Sequence, residues 1–157
     1  MKNLNNYIFE KLNVKNISAN NIKRQYSCRP KTKDELRKIL KERLKENKNA
    51  DLNDIDVSEI TNMDYLFYGL DPHNIDISEW DVSNVINMRS MFIYCWKFNS
   101  DLSKWDVSNV TNMFDMINGC KEFNSDLSKW DVSNVTDMRD MFYNCDSLKN
   151  KPSWYKE

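Results

Sequence analysis

The chain has 157 residues, 40% hydrophobic and 30% charged, with a formal net charge of −1, which suits one domain with a modest core. Two glycines and three prolines leave little material for tight turns or a phosphate-cradling loop, so turns must be built from Asn, Asp and Ser. No apolar run approaches the roughly 18 residues of a membrane helix, and the opening MKNLNNYIFEKLNVKN lacks the apolar core of a signal peptide; the expectation is a soluble chain, cytoplasmic by default, without membrane insertion.

Charge divides the chain. Residues 1–50 hold 14 Lys and Arg against 5 Asp and Glu, a balance of +9, whereas residues 51–157 hold 9 against 19, a balance of −10. The basic residues interleave with apolar ones and form no dense tract, so a nucleic-acid partner is not expected.

The first 30 residues read as a leader. Leu4, Tyr7, Ile8 and Leu12 fall at helical spacing within residues 3–13, succeeded by polar text as far as Pro30. Two readings fit: a short helix folded against the cap, or a detachable amphipathic peptide that binds a partner. Residues 31–50 read as that cap, a single helix. Thr32 and Glu35 form a T-x-x-E capping box, and Leu36, Ile39, Leu40 and Leu44 line one face of a helix from about Lys33 to Asn47.

Residues 51–157 are dominated by a 25-residue repeat with units at 55–79, 80–104, 105–129 and 130–154. Numbering each unit from its start, column three holds Val57, Val82, Val107 and Val132, and column nine holds Met63, Met88, Met113 and Met138. Apolar columns six, nine, twelve, thirteen and sixteen have the spacing of one face of a short helix. Thr61, Thr111 and Thr136 stand where a hydroxyl could cap it. Leu102 or Leu127, with the Trp and Val that come after, predicts a short strand. One unit cannot bury its own apolar face, but stacked copies make a continuous core. The predicted fold is therefore an α/β solenoid of about four coils, each a short helix plus a short strand in a parallel strand ladder, with an N-terminal helical cap. Pro152, Trp154 and Tyr155 read as the cover of the far end.

The blocks WDVSNVTNM, MFIYC and FNSDLSKWDVSNV resemble the 25-residue repeat of the DUF285 family, grouped with BspA-like leucine-rich repeat proteins, over roughly residues 50–157. The resemblance implies a leucine-rich-repeat-like α/β solenoid that binds other proteins, often at bacterial cell surfaces, and it names no partner.

Candidate chemistry is sparse. His73 is the lone histidine and occupies a column otherwise filled by Phe98, Phe123 and Leu148; no nucleophile and base pair accompanies it, and P-loop, GxGxxG and HExxH signatures are absent, so neither an enzyme nor a cofactor is expected. Cys95, Cys120 and Cys145 are spaced by the repeat and not as a zinc site, and read as free thiols in an apolar row, although stacked coils could bring them within disulfide range. Two acidic columns, from Asp56 and from Asp76 onward, would either hold a cation such as calcium or accept from turn N–H groups; the second reading is preferred because the FNSD turns lack glycine. Candidate partner-binding residues are Arg89, Phe114 and Arg139, which vary between units at one site, together with the aromatics Tyr94, Trp96 and Tyr143; those aromatics fit packing on a flank equally well. The expected function is a non-enzymatic protein–protein interaction module with an unknown protein partner. The alternative is a structural protein that self-associates end to end.

Overall fold

In the computed structural model, residues 25–156 are described. The leader helix expected over residues 3–13 lies outside them. Residues 25–30 run alongside the first coil, where Cys28 and Ile55 make a parallel bridge.

The one helix among the described residues, α1 (Lys33–Glu46), begins at Thr32, whose Oγ1 accepts from the Glu35 N–H at 3.2 Å. The Glu35 carboxylate reaches back to the Lys31 N–H at 2.7 Å, so two donors at the helix start are satisfied reciprocally. Leu36, Leu40 and Leu44 recur at i+4 and are fully buried, which seats α1 on the first coil. Its polar side covers part of the coil's open edge. The Arg37 guanidinium donates to the carbonyls of Tyr65, Leu66 and Tyr68, and the Lys48 ammonium donates to the Leu70 carbonyl.

Beyond α1 the predicted α/β coils do not form. Each 25-residue unit is a succession of turns, and units meet through isolated parallel bridges such as Asn62 to Asn87, Asn87 to Asn112 and Asn112 to Asp137, with no named strand among the described residues. The leucine-rich-repeat-like helix-plus-strand solenoid with a parallel strand ladder is corrected accordingly.

The cause lies in the backbone. Two columns of each coil sit in the left-handed region: Tyr65, Ser90, Asp115 and Asp140 in column eleven, then Gly69, Tyr94, Gly119 and Asn144 in column fifteen. A helix requires negative φ throughout, and a single left-handed residue reverses the chain locally. Successive N–H groups therefore alternate in direction. In the second coil Met91, Ile93 and Cys95 donate three residues back, to Met88, Ser90 and Phe92, at 3.0–3.2 Å. Between them Met88, Ser90, Phe92 and Tyr94 donate outward to Asn112, Phe114, Met116 and Asn118 of the next coil at 2.8–2.9 Å. No helix can hold half its donors outside itself, and no continuous strand can hold half of them in local turns.

The threonine caps are corrected as well. The hydroxyls of Thr111 and Thr136 donate to carbonyls of the preceding coil, Ile86 and Thr111, at 3.2 and 3.0 Å. The turn starts are made by Asn62, Asn87 and Asn112, whose Oδ1 atoms accept from the N–H two residues on at 3.0–3.1 Å.

Register lets like side chains stack. The Val, Met and Phe columns are buried through the first three coils, and Phe67 and Phe92 stack at 5.0 Å. The buried indoles of Trp80, Trp105 and Trp130 donate through Nε1 to the carbonyls of Leu52, Ile77 and Leu102 at 2.9–3.0 Å. Trp154 continues the series, donating to Leu127 at 2.9 Å and stacking on Trp130 at 6.4 Å. These tryptophans fasten each coil to the one before it.

Candidate interaction surface

Column ten places one varying side chain per coil at the same point of the turn. The Asx turns that start at Asn87, Asn112 and Asp137 hold the backbone N–H groups of Arg89, Phe114 and Arg139, so each side chain leaves the coil in the same direction. The structure brings these three residues together. The Arg89 guanidinium lies 5.5 Å from the Phe114 ring centroid, and the Arg139 guanidinium lies 5.5 Å from it as well. Arg89 also faces the Tyr65 ring at 5.7 Å. The result is a row of alternating aromatic and cationic groups, Tyr65, Arg89, Phe114 and Arg139, within cation–π range of one another.

Two members of this neighbourhood carried no mark in the sequence pattern. Tyr65 belongs to column eleven, and its left-handed backbone (φ 54°) turns it toward Arg89. Asp137 forms a fork with Arg139, Nε to Oδ1 at 3.0 Å and Nη2 to Oδ2 at 2.8 Å. That side-chain bond lowers the Asp137 carboxyl pKa and raises that of the guanidinium. The available signal was an acid two residues before the only arginine of the fourth unit.

Tyr94, Trp96 and Tyr143 are 57%, 61% and 59% exposed. The Tyr94 ring rests over Gly119: a Cβ on Gly119 would stand 2.8 Å from the ring's Cδ1. Packing thus accounts for the placement of Tyr94. Tyr143 joins Arg139, Asp140, Lys151 and Tyr155 around a surface groove of about 490 Å³.

The acidic columns are occupied by turn chemistry. Oδ1 of Asp56, Asp81, Asp106 and Asp131 accepts from the backbone N–H of Ser58, Ser83, Ser108 and Ser133 at 3.0–3.1 Å. The second column does the same, as at Asp101 and Asp126, each with a serine N–H at 2.9 Å. The serine hydrogen bonds hold the Asp101 and Asp106 carboxyls below the ordinary range. Among the described residues no group of three or more His, Cys, Asp or Glu converges on one point.

All four cysteines are free thiols. Cys120 and Cys145 each direct Sγ at the carbonyl of Phe92 or Ile117, 3.1 Å away. Burial pushes the Cys95 thiol up to about 12 and Cys145 up to about 11, and raises Cys120 well above its usual value. His73 is partly exposed, with Nε2 3.4 Å from Asp71 Oδ2 at the edge of the first coil. Among the described residues no helix is long and apolar enough to cross a membrane.

A family model described as "Mycoplasma protein of unknown function, DUF285" matches residues 35–155. No curated protein matches the chain. No solved structure matches it either.

Proposed function

This chain belongs to the DUF285 family, and from that premise we propose that it is a non-enzymatic protein-interaction module of the BspA-like kind, a repeat scaffold that displays a fixed side-chain surface to a protein partner, in an adhesion-related setting. The observation that carries this reading is the row of Tyr65, Arg89, Phe114 and Arg139. Tyrosine and arginine are over-represented among residues that dominate binding energy, because they bury much area and donate in a fixed geometry. Here they stand on a backbone held by Asx turns and inter-coil bonds, so little ordering cost falls due when a partner docks.

The rival reading, end-to-end association of identical chains, is weakened by α1. Head-to-tail stacking needs the first coil's face, which α1 covers with Leu36, Leu40 and Leu44, while Arg37 occupies the Leu66 and Tyr68 carbonyls.

The test is crosslinking capture from the native host with the wild-type chain and with Arg89→Ala, Phe114→Ala, Arg139→Ala combined, after confirming equal thermal stability. The reading expects a defined partner whose capture falls at least about tenfold in the variant. Unchanged capture would remove this row from the account, and reversible chain growth with concentration would favour assembly.

A further inference from the structure

We propose that the far face of the fourth coil is a backbone-docking edge that accepts a segment of a partner polypeptide in the repeat's own conformation. It is a different surface from the side-chain row above. In the third coil Met113, Asp115, Ile117 and Gly119 donate their N–H groups to the carbonyls of Asp137, Arg139, Met141 and Tyr143 at 2.7–3.2 Å. The equivalent donors of the fourth coil are Met138, Asp140, Phe142 and Asn144. Among the described residues none of these four N–H groups has an acceptor, while the intervening Met141, Tyr143 and Cys145 make their local turns at 3.1–3.3 Å. The edge is thus built, with its alternating pattern intact and its outward half unfilled.

The side chains agree with the backbone. Val107, Val110 and Met113 are at most 1% exposed, but their counterparts Val132, Val135 and Met138 are only partly buried. Trp154 and Tyr155 cover one side, through Trp130 and Phe142. They leave the Val and Met columns with an uncovered apolar floor beside the donor row. An unpaired donor row next to apolar surface is a template for another backbone.

The three interior junctions define the occupant. It must present carbonyl oxygens at every second residue and apolar side chains at every third, as VSNVTNMFDM does in the third coil. A second copy of this chain does not supply them. Its first coil is covered by α1, whose Leu36, Leu40 and Leu44 are buried on it and whose Arg37 takes the Leu66 and Tyr68 carbonyls, two of the four that the donor row would need; its own fourth coil offers the same donors, which cannot pair with one another. The partner is therefore a different polypeptide carrying a coil of this repeat type with an accessible carbonyl edge.

The probe is a synthetic peptide with the sequence of residues 105–129, added under reducing conditions to the isotopically labelled full chain while amide hydrogen exchange is monitored. In the free chain Met138, Asp140, Phe142 and Asn144 exchange faster than their counterparts Met88, Ser90, Phe92 and Tyr94. Saturating peptide slows those four amides at least about tenfold; a scrambled peptide does not. The substitution Met138→Lys, which sets a charge on the apolar floor, weakens the response while leaving exchange in the first two coils unchanged. The triple alanine variant of the side-chain row retains it in full, so failure of this proposal and failure of the interaction-row reading are separable. No protection at millimolar peptide, protection of other amides, or protection that grows with protein concentration alone would each overturn the proposal.

Discussion

Replacing Trp105 by Phe tests how the coils are fastened. The indole N–H donates to the Ile77 carbonyl at 3.0 Å from a side chain only 4% exposed, and the ring stacks on Trp80 at 6.5 Å. Phenylalanine keeps an apolar ring and removes the donor. The lost hydrogen bond is worth about 1 kcal/mol, softened because the Ile77 carbonyl keeps its second donor, the Trp80 N–H at 3.1 Å. The smaller ring leaves about 40 Å³ unfilled, which at roughly 24 cal/mol per Å³ adds about 1 kcal/mol, before any lost apolar transfer. The total is about 2–3 kcal/mol, read as a lower urea midpoint at unchanged slope. Trp154→Phe, at a half-buried position with the same bond, costs less. A loss below about 0.5 kcal/mol for Trp105→Phe would refute the idea that the indole ladder ties each coil to its predecessor.

Three further outcomes are expected. Arg37→Ala strips the donors from the first-coil carbonyls and lowers stability by about 1–2 kcal/mol in urea denaturation; a neutral result would mean that solvent serves those carbonyls equally well. Cys95 and Cys120 resist alkylation at pH 8 until the chain unfolds; because the folded pKa values of Cys95, Cys120 and Cys145 are raised by burial, their stabilising contribution is full below about pH 8.5 and is lost as pH climbs toward the folded values. A thermal midpoint that did not fall between pH 8.5 and 11 would contradict this. At the acid end, Asp101, Asp106, Asp126, Asp131 and Asp137 have lowered pKa values, so their contribution is full above about pH 4 and is lost as pH falls through the folded values. Replacing the turn acids Asp101 and Asp126 by Ala flattens the acid limb of the stability curve; an unchanged limb would place the titration elsewhere.

The repeat and its buried columns were legible because stacking demands the same residue at the same height in every coil: Val82 over Val107 and Met88 over Met113 announce burial directly. The backbone between them was not. Apolar residues at columns six, nine and twelve stand three apart, and a chain of turns closed by bonds to the third residue back gives that spacing as readily as a short helix. A decisive signal was present. The only two glycines, Gly69 and Gly119, share column fifteen with Asn144, which marks a left-handed position even though Tyr94 stands there in the second unit. Column eleven is harder, since Tyr65 and Ser90 do not advertise positive φ, and their conformation is imposed by the bonds each N–H makes to the adjoining coil. At the candidate surface the sequence marked Arg89, Phe114 and Arg139 by their variation between units. Their mutual approach, and the arrival of Tyr65, depend on adjoining coils and had no local trace.

The central claim is that each coil is a run of turns whose N–H groups point alternately inward and to the next coil. It is tested most directly by nuclear Overhauser contacts in the labelled chain. The account predicts cross-coil backbone contacts among Asn62, Asn87, Asn112 and Asp137, and no sustained series of α-proton to amide contacts three and four residues apart across residues 60–70, 85–95 or 110–120. A continuous helical series in those segments, without the cross-coil contacts, would contradict it.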